Sequence, residues 1–526
     1  MTRAASLHAH IKLSNYCNVS TETSYRPYAY LLASCVALHA CTKEEPAPAP
    51  APPPAREEFH AVKPLRTLVS IPSETDKGAE QVAWLQRELN YLLRRGQMHV
   101  ASGSAATGSA FLLSIELSAD RSQASLKLIA PDQVLERQQQ VALSPKVQLA
   151  TVTALAHALP SFLDASHASG DWSAFIGTKD ERAYESYVRT ANELLGPSAS
   201  GITRPVASRP RARAVERLEA LTRAHREFAR AWGALAIGYL SLGGDDLTSL
   251  TDLAESSAER ALQLDENLPE AHTALAMVDL RNSDWIAAHE KFRWALSLDS
   301  NLAGALEGLA CLHADAGHYG ESLTYAMRVL TLQPRNAGAS ECLAYAQLGT
   351  APEQPIPDAL PASAARVRAL AAVLQGERRT ASRLLRGAMS GAEFDMWAAP
   401  MLRAAGNRQL VPDALKAITR AANDGFIDAS TEILCGVALK QPEFVFNRIS
   451  RLQRENVHAP LRMLWLPRAD FLRQHSRFQE TIGAAGLTAF WHSNGPPDVC
   501  ETEPVVYGCN LKAERAIGSS VSAAPQ

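Results

Sequence analysis

The chain is short of several things that mark common function classes. Of its 526 residues only 11 are lysine against 41 arginine, and the 52 cations and 55 acids nearly cancel to a net charge of −3. No global field therefore draws it to nucleic acid, and the arginine bias reads as genome composition. No stretch reaches the ~18 uninterrupted apolar residues of a membrane-spanning helix. The eight cysteines include no C-x-x-C pair, which excludes the usual zinc and thioredoxin-like spacings.

Catalytic motifs are equally scarce. There is no G-x-S-x-G elbow and no G-x-G-x-x-G turn. Gly103 and Gly108 have P-loop spacing, but Ser109 stands where the phosphate-binding lysine belongs. His289-Glu290 opens like a zinc-protease helix, yet Arg293 occupies the place of the second histidine. His313 and His318, five apart at the end of a helix, read as polar residues of a turn. No metal, cofactor or enzymatic activity is expected.

What is present begins with a leader. Tyr28–Ala40 is a short apolar run after Arg26 and before Cys41, the proportions of a secretory signal. Leu38-His39-Ala40-Cys41 resembles the lipidation site of bacterial lipoproteins. Leu32-Ala33-Ser34-Cys35 matches that motif better but follows too short an apolar core, so Cys41 is the expected lipid-bearing residue and Cys35 the alternative. Residues 46–54, PAPAPAPPP, form a stiff spacer that would hold a folded body ~25 Å from a membrane. Thr42 after the cysteine implies the outer membrane under the lipoprotein sorting rule. The resemblance places the protein in the cell envelope, on the periplasmic side.

Residues 64–167 alternate between periods. Leu65–Ile71 reads as a strand, and Val82, Leu85, Leu89 and Leu92 mark one helix face that stops at Gly96. Phe111–Leu117 and Ala124–Leu128 read as strands joined through Asp120-Arg121-Ser122, and Val152, Leu155 and Leu159 suggest a closing helix. With a weak strand in Met98-His99-Val100-Ala101-Ser102 the expected order is β-α-β-β-β-α. The layout resembles the TolB-like domain that precedes helical repeats in many bacterial proteins.

The strongest signal is an internal period. Leu275, Leu309 and Leu343 are 34 residues apart, as are Ala276, Ala310 and Ala344, and 34 is the tetratricopeptide step. Trp285 aligns with Tyr319, and Pro334 closes a unit. Trp232, Leu235, Ala236 and Tyr239 open an earlier unit, and Ala183–Tyr187 with Ala214, Leu218 and Leu221 a still earlier one. The expected fold is predominantly α: a tetratricopeptide α-solenoid over 180–349, preceded by the small α/β domain. The expected divisions are a leader (1–41), a Pro-rich linker (42–63), a second linker (350–363), further irregular helical repeats (364–500) and a terminal loop with a disordered end (501–526).

Near the end, Phe471-Leu472-Arg473, Arg477-Phe478, Gly486-Leu487, Phe490-Trp491, Gly495, Pro497-Asp498 and Cys500 resemble the closing pattern of CadC-type regulators and their lipoprotein or cyclase-linked relatives. No winged helix or cyclase domain accompanies them in this sequence. The expected role is a scaffold or adaptor that binds a protein or peptide in a groove of stacked first helices. His272, Asp279, Leu306, His313, Ser340 and Gln347 are the expected groove residues from repeat position. The alternative is the sensor component of a CadC-like or cyclase-linked system. Cys500 and Cys509 bracket a loop short enough for a disulfide in an oxidising compartment, whereas Cys311, Cys342 and Cys435 on apolar faces read as small core residues.

Overall fold

A computed structural model describes residues 65–70, 76–96, 98, 100, 110–131, 133–144, 148–163, 172–195, 209–242, 247–350, 362–455 and 458–509. The leader, Cys35, Cys41, both Pro-rich stretches and residues 510–526 lie outside them.

The first module is a four-stranded sheet in the order β1 (Leu65–Ser70), β2 (Phe111–Leu117), β3 (Gln123–Ile129), β4 (Leu135–Ala142). β1 and β2 are parallel, joined through α1 (Asp76–Arg95), and the remaining pairs are antiparallel. Alternation explains β3, where Ala124, Leu126 and Leu128 point inward and their neighbours outward. α1 and α2 (Gln148–Phe162) pack on the sheet through Leu85, Leu89, Leu155 and Leu159, all buried. One strand differs from expectation. Val100 makes only an isolated bridge to Leu65, and the fourth strand is instead Leu-Glu-Arg-Gln-Gln-Gln-Val-Ala. It is a mostly exposed edge strand, so it lacks the alternating apolar residues by which a strand shows in a sequence.

Antiparallel helices follow: α3 (Glu181–Leu195), α4 (Arg209–Ala224), α5 (Ala229–Ser241), α6 (Leu247–Leu264), α7 (Pro269–Arg281), α8 (Trp285–Leu298), α9 (Ala303–Ala316), α10 (Tyr319–Leu332) and α11 (Ala337–Thr350). α7, α9 and α11 start 34 residues apart, and so do α8 and α10. This is an α-solenoid of tetratricopeptide-type hairpins. Local chemistry sets the ends. Pro269 stands in the first turn of α7, Asp284 caps α8 by accepting from the Ala287 N–H at 3.0 Å, and Gly317 closes α9 with φ +83°. Small residues set the spacing. A Cβ on Gly308 would stand 2.2 Å from the Phe292 ring of α8, so only glycine lets these helices approach this closely.

The chain continues as α12 (Ala362–Gln375) and α13 (Arg378–Ala388). A π turn at Phe394–Ala398 leads into α14 (Ala399–Ala404), followed by α15 (Val411–Asn423), α16 (Ala429–Ala438) and α17 (Pro442–Arg454). α18 (Asp470–Arg473), α19 (Arg477–Ala484) and α20 (Leu487–Asn494) are short and linked by irregular chain. Most buried side chains of the α/β module, the repeats and this closing segment form one continuous core, with Leu306, Val329 and Ala339 in a small separate cluster.

Candidate functional site

Each repeat hairpin has two edges, the turn inside the hairpin and the loop leading to the next. The α/β module covers the loops between hairpins. Arg94 pairs with Asp299, and Arg95 pairs with Asp265 at 3.0 Å and donates to the Asn267 carbonyl at 3.3 Å. Deeper, Glu88 of α1 meets Arg230 of α5 through two hydrogen bonds of 2.8 and 2.9 Å, and Tyr184 donates a third at 2.8 Å. The Arg230 guanidinium lies 4.2 Å from the Tyr91 ring centroid and 4.9 Å from that of Tyr187. Burial pushes the Glu88 carboxyl up, but Arg230 outweighs it and holds the group below the usual carboxylate range.

The closing segment covers the opposite edge, the turns inside the hairpins. Asp315, fully buried at the end of α9, is its anchor. Its carboxylate accepts from the backbone N–H groups of Leu461 and Arg462, both at 2.9 Å, from the Arg462 guanidinium at 2.9 and 2.8 Å, and stands 3.3 Å from His458 Nε2. Burial raises this carboxyl too, and the Arg462 charge again wins, holding it far below its ordinary value. The repeat-equivalent Trp285 and Tyr319 each donate to a carbonyl of this segment, Ala485 and Arg462 respectively, both at 2.6 Å. Trp465 and Trp491 reciprocate with the carbonyls of Asp315 and Ala316 at 2.9 Å.

The residues of the closing pattern hold this segment in place. Phe478, Leu487, Phe490 and Trp491 are buried, Gly486 and Gly495 adopt φ of +77° and +94°, and Arg473 donates to the Leu464 carbonyl at 2.6 Å. Cys500 and Cys509 are bonded, with Cα atoms 5.4 Å apart.

Between this segment and the repeats lies a cleft of about 590 Å³. Met277, Leu280 and Arg281 of α7 line one side, Cys311 and Asp315 of α9 another, and His458 and Arg462 close it. Arg281 donates to the Thr251 hydroxyl at 2.9 Å and the Leu240 carbonyl at 2.7 Å. No carboxylate among the described residues pairs with it, and burial brings its pKa down to about 10.

The expected groove residues are not on this surface. Leu306, His313 and Ser340 are buried. Leu306 packs with Val329 of α10, His313 stacks on Tyr325 of α10, and Ser340 donates to the Asn336 carbonyl at 2.7 Å. His272 and Asp279 turn toward α8, where His272 meets the Trp294 ring edge-on and Asp279 pairs with Lys291. Gln347 accepts from Arg368 of α12. The physical reason is rotation. The cleft position Arg281 is two residues past Asp279, and two residues turn a helix by ~200°, nearly to its opposite face. Met277 and Cys311, and Arg281 and Asp315, are equivalent positions of α7 and α9 that do line the cleft. The reading of Cys311 and Cys342 as unbonded core residues also fails, because they form a disulfide with Cα atoms 5.6 Å apart. Among the described residues Cys435 is the free cysteine, and it is buried.

No family model matches this chain, and no curated protein is similar to it. Solved structures offer distant likenesses. One, from the functional characterization of Pseudomonas aeruginosa PilF, shares 20% identity over 43% of this chain and 91% of that one, with a TM-score of 0.24. Naa15/Naa10 bound to HypK-THB gives 14% identity over 60% of this chain, which spans about half (48%) of that one, with a TM-score of 0.22. The TPR domain of P58(IPK) gives 14% over 59% and 95% of the two chains, with a TM-score of 0.16. The repeat architecture stands on this chain's own helix spacing.

Proposed function

We propose that the chain is a non-enzymatic scaffold of the cell envelope that holds a protein or peptide partner. The carrying observation is the cleft bounded by α7, α9 and the closing segment, which those elements line without filling. Its chemistry suits an extended peptide: apolar contact at Met277 and Leu280, and a half-buried cation at Arg281 for an acidic side chain or chain terminus. The disulfides Cys311–Cys342 and Cys500–Cys509 support a location in an oxidising compartment. Lipid on Cys41 would tether the body there, with the outer membrane favoured.

The test is a photo-crosslinking amino acid placed in cells at Thr248 or Asp252, at the cleft, and at Lys416 on the exposed face of α15. A discrete adduct from the cleft positions only, lost when Arg281→Ala is added, supports the reading. Absence of any adduct at the cleft overturns it. Labelling with a clickable fatty acid tests the tether separately: label lost in Cys41→Ser and kept in Cys35→Ser supports it, and no label on any version removes it.

A further inference from the structure

The turn between α9 and α10 gathers side chains that neither the core nor the cleft requires. His313 Nδ1 and His318 Nδ1 face each other at 3.4 Å. His318 Nε2 lies 3.0 and 3.1 Å from the carbonyl oxygens of Gly495 and Pro496. Those oxygens can only accept, so Nε2 carries a proton, and Nδ1 is the nitrogen left to offer a lone pair. One ligand atom from each of His313, His318 and Glu321 lies within 4.8 Å of the others. The histidines are buried and the glutamate is exposed.

We propose that His313, His318 and Glu321 form a binding site for a divalent transition-metal ion of the zinc class. Two nitrogens that each bind zinc at ~2.0–2.1 Å in a tetrahedron stand about 3.4 Å apart, which is the separation found here. The outer contacts also follow the pattern of such sites, since a ligating imidazole commonly donates its second N–H to a backbone carbonyl, as His318 is placed to do. Tyr325 stacks on His313, and Phe490 stands beside both imidazoles, fixing the rings.

Without the ion, one proton bridges the two Nδ1 atoms. With it, His313 carries that proton on Nε2, both Nδ1 lone pairs form metal bonds, and the Glu321 carboxylate swings in from solvent as the third ligand. Nothing is oxidised or reduced, and three protein ligands leave a position open to water or a fourth group. Because His318 also holds Gly495 and Pro496, the ion would fasten the closing segment to the repeat turn.

The experiment uses the full chain, purified without a polyhistidine tag, with free thiols alkylated and metals stripped by a chelator. Uptake of Zn²⁺ is measured by calorimetry and elemental analysis, and Co²⁺ replacement by its visible absorption. The expected result is one ion per chain, a rise in thermal midpoint with Zn²⁺, and a Co²⁺ spectrum of tetrahedral nitrogen–oxygen type. Glu321→Ala, an exposed change that leaves the core intact, should weaken binding by about tenfold or more, at least as much as losing an outer contact does. His313→Gln should abolish it. No stoichiometric uptake overturns the proposal, and so does uptake that Glu321→Ala leaves unchanged. If His313→Gln fails to fold, the glutamate variant alone decides.

Discussion

At one edge of the repeats Glu88 meets Arg230 helix to helix, and at the other Asp315 meets Arg462 at the start of a single 3₁₀ turn, Arg462–Trp465. Both carboxylates are buried and both are outweighed by a guanidinium, yet they are satisfied differently. Glu88 is served by side chains, with aromatic faces completing the shell of Arg230. Asp315 draws two of its donors from the backbone of the segment that it holds. A side-chain pair can be replaced as a unit by apolar residues. A carboxylate that organises backbone cannot, because its removal orphans backbone N–H groups that an apolar side-chain replacement leaves in place.

The comparison can be broken by mutation, and the largest effect should come from Asp315→Ala. It strands the Arg462 charge and two backbone donors, and should lower unfolding free energy by ~3–5 kcal/mol in a urea titration, with no second-site rescue from Arg462→Met. Arg230→Met should cost a similar ~3–5 kcal/mol because it leaves Glu88 buried and unpaired. Here, though, adding Glu88→Leu should restore most of the loss, and failure to restore it would erase the distinction between the two edges.

Reduction sharpens the contrast next. All cysteines among the described residues lie from Cys311 onward, so reducing agent should lower amide-exchange protection in 458–509 and leave α1 unchanged. On the disputed loop-entropy model, removing Cys311–Cys342 should cost roughly 4 kcal/mol and Cys500–Cys509 roughly 3 kcal/mol, readable from the thermal midpoints of the paired serine variants.

Acid separates the edges more gently. Both folded-state pKa values are held below the ordinary ones, so these groups bind fewer protons folded than unfolded. Their stabilisation is therefore complete above the unfolded values of ~4 and is lost as pH falls below them toward the folded values. Urea midpoints measured from pH 7 to pH 2.5 should show that fall, shallower in the Glu88→Leu/Arg230→Met double variant. The smallest effect belongs to the partly exposed pair Arg95–Asp265, where Asp265→Asn should cost under ~1 kcal/mol and diminish further in high salt.

The period of the repeats was open to reading because packing demands small residues at fixed places, as Gly308 against Phe292 illustrates. Direction around each helix was harder. Asp279 and Arg281 are both polar and two apart, and only the partner helix decides which faces inward. The edge strand of glutamines left no apolar trace. The bridge Cys311–Cys342 did leave one. Its separation of 31 is one helical turn short of the repeat, which sets the two thiols on facing first helices. Asp315 and Arg462, 147 positions apart, had no local signal, because their meeting is a property of how the segment returns over the repeats.

That return has an evolutionary cost. Repeat arrays ordinarily lengthen by duplication, since each unit needs only its neighbours. In this chain the indole of Trp285 and the phenol of Tyr319, one repeat apart, both grip the same returning strand of chain. A unit duplicated between them would pull the two grips apart by the width of a hairpin, and the segment could satisfy one or the other. The number of repeats at this place is thereby frozen, and descendants of this chain are free to grow only outside the span that the two rings measure.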